Sequence, residues 1–167
     1  DFGFKDGVPY LVQEYLSGED LDRKIKRREF LSLPEKLLYL VQIARGLQYA
    51  HSRGVVHRDI KPANIMYEPE SDQVKVTDFG IARITDSSKT KTGMVLGTPS
   101  FMSPEQLAGK KIDGRSDLFS LGVMLYQMSC GKLPFEGDSM AQLMFRIANE
   151  PHPDIRGVNP DLPDCLV

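Results

Sequence analysis

An apolar run in the second half of the chain places the strongest constraint on its fold. Residues 118–128 carry apolar side chains on almost every side of a helix. A helix of this kind has to be surrounded by other elements, because its apolar residues do not share a single face. The run is also too short to cross a membrane. The sequence therefore predicts a buried central helix, capped by Ser116 and Asp117 and ended by Gly131.

Two further helices are predicted, and each has one apolar face. The first opens at Ser32-Leu33-Pro34-Glu35, a capping box with Pro in the first turn, and ends at Gly54. The second is capped by Asp138. Their apolar residues recur at helical spacing, as expected of faces that pack on a core: Leu37, Leu40, Val41, Ala44 and Leu47 in the first, and Met140, Leu143, Met144 and Ile147 in the second.

The remaining segments are short or polar. A short helix is predicted over 19–28, and strands are predicted over 8–12 and 74–77. The tail from Pro151 is predicted to be irregular. Residues 83–100 are rich in Ser, Thr, Gly and Lys and are typical of a long exposed loop, which in a compact domain is usually functional. The chain is therefore expected to be a mainly helical domain with a few short strands.

Charge and cysteine content exclude several classes of function. The 167 residues include 21 Lys and Arg against 23 Asp and Glu, so a strongly basic nucleic-acid or membrane-binding surface is not expected. Two cysteines in no metal or redox spacing favour a reducing, cytosolic compartment. No signal peptide or membrane-length apolar run is present, and the first residue is Asp1 rather than Met. We expect a piece cut from a longer product.

Four polar residues carry the chemistry that the transfer of a phosphoryl group would need. Such a transfer requires a carboxylate to accept the proton of the attacking hydroxyl, a cation for the phosphate and oxygen ligands for Mg²⁺. Asp59 supplies a candidate base, and Lys61 lies two residues further on, so both point the same way in an extended loop. Asn64 and Asp78 offer the hard oxygen atoms that Mg²⁺ prefers.

These residues belong to four motifs that follow one another along the chain: His57-Arg58-Asp59-Ile60-Lys61-Pro62-Ala63-Asn64, Asp78-Phe79-Gly80, Gly97-Thr98-Pro99 and Ser103-Pro104-Glu105. Together they resemble the catalytic and activation segments of eukaryotic-type (Hanks-type) Ser/Thr protein kinases, particularly those of bacteria. The resemblance implies an α+β protein-kinase-like fold with a mainly helical C-terminal lobe and short β-hairpins. Residues 1–16 would be the last strands of a mostly missing N-terminal lobe and the hinge. Residues 17–167 would be the C-terminal lobe, truncated before its final helices.

The resemblance also implies a role for each site residue. Asp59 would be the catalytic base, Lys61 would contact the transferring phosphate, and Asn64 and Asp78 would hold Mg²⁺. ATP would be bound by Lys61, Asn64 and Asp78 together with Glu14, Leu16, Asp20 and Met66, with Ile65 beside Met66 beneath the adenine. The second Asp-Phe-Gly triplet, Asp1-Phe2-Gly3, is interpreted as a coincidence in a loop that precedes a strand.

Regulatory and structural roles follow from the same resemblance. Phosphorylation of the activation loop is expected to be sensed by Arg58 and Arg83, with Thr90, Thr92 and Thr98 as the regulatory threonines. The residues expected to be structural are His57, Phe79, Gly80, Glu105 and Asp117. Glu105 is expected to relax or become protonated, because its usual arginine partner is absent. His51 and His152 are assigned no role.

Three functional classes remain open at this level. A protein Ser/Thr kinase would act on protein substrates and could self-associate for autophosphorylation, with no nucleic-acid partner. It would work in the cytoplasm or as the cytoplasmic domain of a membrane-anchored parent. A pseudokinase scaffold and a small-molecule kinase of similar fold are the alternatives. The chain contains neither a Gly-rich phosphate loop nor the strand lysine, so the isolated piece is expected to be nearly inactive.

Overall fold

The computed structural model describes residues 1–27, 29, 32–79 and 99–166. At its amino terminus, β1 (Phe2–Lys5) and β2 (Val8–Leu11) form an antiparallel hairpin. Asp6 and Gly7 connect them with φ angles of 53° and 79°, the two positive values that a tight Asp-Gly hairpin turn requires. The strand predicted over 8–12 is confirmed. Residues 2 and 3 belong to β1, so their placement in a loop before a strand was wrong.

A small sheet and two helices follow the hairpin. β3 (Glu19–Asp20) leads into α1 (Leu21–Lys26), and α2 (Leu33–Ser52) comes next. The helix predicted over 19–28 is shorter than expected. Asp20 caps it by accepting a hydrogen bond from the Arg23 backbone N–H at 2.9 Å, and β3 pairs with a later strand instead.

The capping box predicted at the start of α2 is present. The Glu35 carboxylate accepts from the Ser32 backbone N–H at 2.7 Å, and the helix ends before Gly54, whose φ is 75°. The predicted apolar face is only partly correct. Leu40 and Leu47 are buried, but Val41 is 45% exposed. Tyr39 and Ile43, which the predicted stripe omitted, are buried in the core instead.

The middle of the chain forms a second hairpin, β4 (Ile65–Glu68) and β5 (Gln73–Val76), and β3 pairs with the outer edge of β4. The hairpin predicted around 74–77 is thus confirmed. Ile65 is completely buried in the core, so it does not line a nucleotide surface as expected. Its neighbour Met66 is half-buried, because successive side chains of a strand point to opposite faces.

The carboxyl-terminal part contains α3 (Pro104–Leu107), α4 (Gly114–Cys130) and α5 (Met140–Asn149). α4 is the predicted central helix: Val123, Met124 and Met128 are buried in the core that α2 shares. It ends as predicted at Gly131, whose φ of 75° is left-handed.

Three details of the carboxyl-terminal part differ from the predictions. α4 is capped by Asp113, so Ser116 and Asp117 lie inside its first turn, and its Leu118 is 54% exposed. α5 is capped by Ser139 rather than Asp138. The tail is not wholly irregular, because it contains two short 3₁₀ helices, Ile155–Gly157 and Asp164–Leu166, and Ile155 and Leu162 pack against Tyr126.

The hydrophobic core joins α1, α2, α4 and the second hairpin. Its most deeply buried side chains, each at most 1% exposed, are Leu21, Ile43, Leu47, Ile60, Ile65 and Met124. Ile60 belongs to the loop that carries the candidate catalytic residues, so this loop is anchored directly in the core. In the described part of the chain, no helix has both the length and the apolar character needed to span a bilayer.

Candidate active site

The candidate site is built on the loop between α2 and β4. Ile60 points into the core, and the residues on either side of it, Asp59 and Lys61, turn their side chains the other way. The Lys61 ammonium lies 2.7 Å from Oδ2 of Asp59. Asn64 donates from Nδ2 to the same oxygen at 3.0 Å and to the Asp59 backbone carbonyl at 2.7 Å. The structure therefore brings Asp59, Lys61 and Asn64 into one cluster around a carboxylate.

Asp78 reaches this cluster through the end of β5. The backbone N–H and hydroxyl of Thr77 both donate to the Asn64 carbonyl, at 2.9 and 3.1 Å. Asp78 follows with a φ of 62°, a left-handed conformation that is uncommon outside glycine. Its carboxylate is exposed and makes no hydrogen bond or ion pair to the described residues. Asp78 thus directly follows the residue that is hydrogen-bonded to Asn64, and its carboxylate is exposed.

A wholly buried carboxylate, that of Asp117, holds the start of the catalytic loop. Its Oδ2 accepts the His57 backbone N–H at 2.8 Å, and its Oδ1 accepts the Arg58 backbone N–H at 2.7 Å. Asp117 is 0% exposed, so these hydrogen bonds are shielded from water. Each joins residues at least 59 positions apart in the chain, and together they fix the backbone just before Asp59.

His51, to which the sequence assigned no role, makes a third contact with Asp117. Its Nε2 lies 2.7 Å from Oδ2 of Asp117. Gly114 makes room for the ring, because a Cβ at that position would lie 2.6 Å from Nδ1 of His51. No local pattern could have revealed this contact, because the two partners are 66 residues apart.

His57 connects the catalytic loop to β5. Its Nδ1 accepts the Asp59 backbone N–H at 3.2 Å, and its Nε2 lies 2.7 Å from the Thr77 carbonyl. These partners fit a neutral ring with its proton on Nε2. The ring meets Phe79 edge-on, with centroids 4.7 Å apart. His57 thus acts as a spacer between the loop that carries Asp59 and the segment that carries Asp78.

Arg58 has a left-handed backbone with a φ of 70°. Its N–H is held by Asp117, and its carbonyl accepts a hydrogen bond from Nε2 of Gln106 at 2.7 Å. Sequence analysis did not single out Gln106. It lies on α3, and the only local signal there is its place in a second capping box with Ser103.

Glu105 does not relax or become protonated, so that expectation was wrong. The Ser116 hydroxyl donates to its carboxylate and is the main cause that lowers the pKa of Glu105 below its ordinary range. A hydrogen bond of this kind stabilises the ionised form. Within the described residues, the partner of the Glu105 carboxylate is therefore a hydroxyl group at the start of α4.

The residues expected around the nucleotide lie near β3 and β4. Asp20 pairs in register with Met66 across these strands, and its carboxylate caps α1 and pairs with Arg23 at 3.1 Å. Glu14 lies 2.8 Å from the Lys75 ammonium, and Leu16 is half-buried. The remaining predicted site residues lie outside the described part of the chain: Gly80, Arg83, Thr90, Thr92 and Thr98.

Comparison with known proteins shows the family of the chain. The family model of the protein kinase domain matches residues 4–161. The chain is 45% identical over 166 residues to the serine/threonine-protein kinase pkn3 of Myxococcus xanthus, covering 93% of this chain and 30% of that protein. It is 46% identical over 155 residues to the serine/threonine-protein kinase PknA of Mycobacterium tuberculosis, covering 92% and 35%.

A third relative is a probable serine/threonine-protein kinase of Clostridium acetobutylicum, which is 38% identical over 167 residues. That alignment covers 99% of this chain and 25% of the relative. The chain belongs to the protein kinase domain family, and its resemblance to the bacterial Ser/Thr kinases is confirmed. It spans about a third or less of the length of these relatives.

Proposed function

We propose that the protein to which this chain belongs transfers the terminal phosphoryl group of ATP to Ser and Thr hydroxyls of other proteins. The observation that carries this proposal is the Asp59 carboxylate. One of its oxygens, Oδ2, is held by Lys61 and Asn64, while no hydrogen bond from the described residues reaches Oδ1. One oxygen of this carboxylate is thus fixed, and the other is left to accept a proton.

Asp59 acts as the general base in this mechanism. A hydroxyl that approaches Oδ1 gives up its proton to the carboxylate as the new oxygen–phosphorus bond forms, while the bond from the γ-phosphorus to the β,γ-bridging oxygen of ATP breaks and ADP leaves. Asn64 fixes both the side chain and the backbone of Asp59, so the carboxylate does not have to be reoriented during the reaction. Lys61, whose ammonium is already beside the carboxylate, neutralises negative charge on the transferring phosphate.

Asn64 and Asp78 are the residues that would hold Mg²⁺. Both hydrogen bonds made by the Asn64 side chain use its nitrogen, so its oxygen is left for a cation, and the Asp78 carboxylate is exposed. No group of three or more His, Cys, Asp and Glu suited to a metal occurs within the described ranges. A pair of oxygen donors fits Mg²⁺, which keeps several waters and binds through few protein ligands. When bound, the ion would supply positive charge to the ATP phosphates.

The other roles in the proposal follow the family resemblance. Residues 1–16 form the end of the N-terminal lobe and the hinge, and 17–167 form the C-terminal lobe. Met66 lies beneath the adenine, Asp20 near the ribose, and Glu14 and Leu16 offer backbone groups to the base. The protein would work in the cytoplasm, or as the cytoplasmic domain of a membrane-anchored parent.

Regulation by phosphorylation belongs to the same proposal. Phosphate on Thr90, Thr92 or Thr98, added by a second copy of the protein, would be bound by Arg58 and Arg83. Arg58 lies directly before Asp59, so a contact with its guanidinium reaches the backbone that carries the base. The chain alone, without a Gly-rich loop or strand lysine, would have almost no activity.

The experiment that tests the function is a transfer assay on the full-length protein. The protein is incubated with γ-labelled ATP and a basic acceptor protein, with and without Mg²⁺, and the labelled amino acid is identified after acid hydrolysis. We expect label on Ser or Thr that depends on Mg²⁺. ATP binding without any transfer would contradict the proposal and favour a pseudokinase. Label on a small molecule alone would favour the third class.

A further inference from the structure

We infer that Gln106 is a positioning residue of the proposed phosphotransferase, acting through the carbonyl of Arg58 on the base Asp59. The inference rests on the proposed function, because it assigns to Gln106 a part in that same reaction. The evidence for it is that the Gln106 side chain binds two separate segments of the chain. Its Oε1 accepts the Ser103 backbone N–H at 3.0 Å, and its Nε2 donates to the Arg58 carbonyl at 2.7 Å.

Capping of α3 does not explain why this residue is a glutamine. A capping box needs only an acceptor at this position, and the box of α2 uses the carboxylate of Glu35, which accepts from the Ser32 N–H at 2.7 Å. A glutamate at 106 would serve α3 equally well. The amide nitrogen of Gln106 adds a donor that the cap does not use, and this donor binds the Arg58 carbonyl. The two contacts also fix which end of the amide is the nitrogen.

The receiving carbonyl belongs to a residue in a costly conformation. Arg58 has a φ of 70°, a left-handed value that a non-glycine residue keeps only when its surroundings enforce it. Two side chains do so from opposite ends: Asp117 binds the Arg58 N–H at 2.7 Å, and Gln106 binds its carbonyl at the same distance. The carbonyl of Arg58 is part of the peptide unit that leads into Asp59. Releasing it leaves this peptide unit with only the contact of the Asp59 N–H with His57 at 3.2 Å among the described residues, so the base is held less firmly.

The consequence is a link between two parts of the site. Ser103 and Gln106 lie at the start of α3, directly after the stretch 99–101, whereas Arg58 belongs to the catalytic loop. The Gln106 side chain would transmit a shift of α3 to the Arg58 carbonyl. The Asp59 carboxylate would then move as well. Binding of ATP does not involve this contact, so its loss should affect the rate of transfer and not the affinity for the nucleotide.

Gln106→Glu in the full-length protein separates the two contacts, because glutamate keeps the acceptor for Ser103 and loses the donor for Arg58. We expect kcat to fall about ten- to a hundredfold, as for a base displaced by up to an ångström, with the KM for ATP unchanged. Gln106→Met removes the donor without adding charge and should give a similar fall. Circular dichroism of each variant shows that the domain remains folded.

The matched control is Gln42→Glu. Gln42 makes the same kind of contacts with residues outside the proposed site, accepting the Val74 backbone N–H at 3.0 Å and donating to the Asp72 carbonyl at 3.4 Å. The kcat of the Gln42→Glu variant should match that of the unmutated protein. Full kcat in either Gln106 variant overturns the inference, as does a raised KM for the acceptor with kcat unchanged. No transfer by the unmutated protein refutes the proposed function itself, and the inference with it.

Discussion

The amino-terminal hairpin and the catalytic loop are both short, but they are stabilised in opposite ways. The hairpin turns on adjacent residues, Asp6 and Gly7, and its side chains stay in solvent: Phe4 is 67% and Val8 65% exposed. The catalytic loop is fixed by residues far away in the chain. His57 and Ile60 are at most 1% exposed, and the carboxylate that holds the loop belongs to Asp117, 60 positions after His57.

This difference explains which part of the sequence determines each conformation. A two-residue turn depends on which residues tolerate positive φ, which is a local property. A loop that carries catalytic groups has to keep their side chains accessible to solvent. Its own backbone N–H and C=O groups then need hydrogen-bond partners from the protein beneath the loop. Here the buried carboxylate of Asp117 satisfies the backbone, while the candidate site residues Asp59 and Asp78 are half-buried and exposed, respectively. Buried polar contacts of this kind are costly to lose.

The largest expected effect on stability is that of Asp117→Ala. It leaves the His57 and Arg58 N–H groups without their acceptor in a buried site and removes the partner of His51. We expect the free energy of unfolding to fall by about 3–5 kcal/mol. Urea denaturation of the full-length protein, followed by circular dichroism, measures the change.

Asp113→Ala is the control for this variant, because Asp113 belongs to the same helix terminus but is exposed. It accepts the Arg115 backbone N–H at 2.9 Å as the cap of α4, and its loss should lower the free energy of unfolding much less than the loss of Asp117. Equal losses for Asp113→Ala and Asp117→Ala would show that both act only as ordinary helix-terminal residues. The distinction between the two regions would then fail.

The next effect compares leucines in the two regions. Leu47 in α2 is 0% exposed, and Leu11 in the hairpin is 50% exposed. Leu47→Ala should lower the free energy of unfolding by about 2–5 kcal/mol, because it leaves a cavity in the core. Leu11→Ala should lower it less if Leu11 stays half exposed, as it is in this chain. The same denaturation measurement checks both, and a loss above about 2 kcal/mol for Leu11→Ala would mean that the hairpin is packed in the full-length protein.

The smallest effect concerns Ser116, whose hydroxyl lowers the pKa of Glu105 below its ordinary value of 4.5. A lowered pKa stabilises the fold above 4.5, and this contribution is lost as the pH falls through the lowered pKa. Ser116→Ala should therefore reduce stability by about 1 kcal/mol at neutral pH. The difference in the free energy of unfolding between the variant and the unmutated protein should become smaller as the pH falls below 4.5. A gap that stays constant with pH would contradict this assignment.

The same contrast describes what the sequence could predict. The helical periodicity around Leu40, Leu47 and Met124 is local, and it correctly predicted the main helices and the central position of α4. The predicted caps of α4 and α5 lay one to three residues from the observed caps, Asp113 and Ser139. Each terminus offers several adjacent polar residues, and tertiary packing decides among them. The strand Glu19–Asp20 was missed, because its pairing with β4 is non-local.

The candidate site divides in the same way. Motif spacing singled out Asp59, Lys61, Asn64 and Asp78 before any contact was known. It could not reveal His51 or Gln106, because each acts on a partner 48 or more positions away in the chain, and the capping box that contains Gln106 gives no sign of that partner. Residues that hold a site together across such distances are visible only once the fold has brought them into contact.

The central claim is that Asp59 accepts the proton of the attacking hydroxyl. It is tested most directly by single-turnover phosphate transfer in the full-length protein that carries Asp59→Asn, beside Asp72→Asn as control. Asp72 is an exposed aspartate in the turn between β4 and β5, and asparagine tolerates its positive φ of 50°. We predict that Asp59→Asn slows transfer by roughly 10²–10⁴ and that Asp72→Asn leaves it unchanged. Transfer by Asp59→Asn at the unmutated rate would contradict the account.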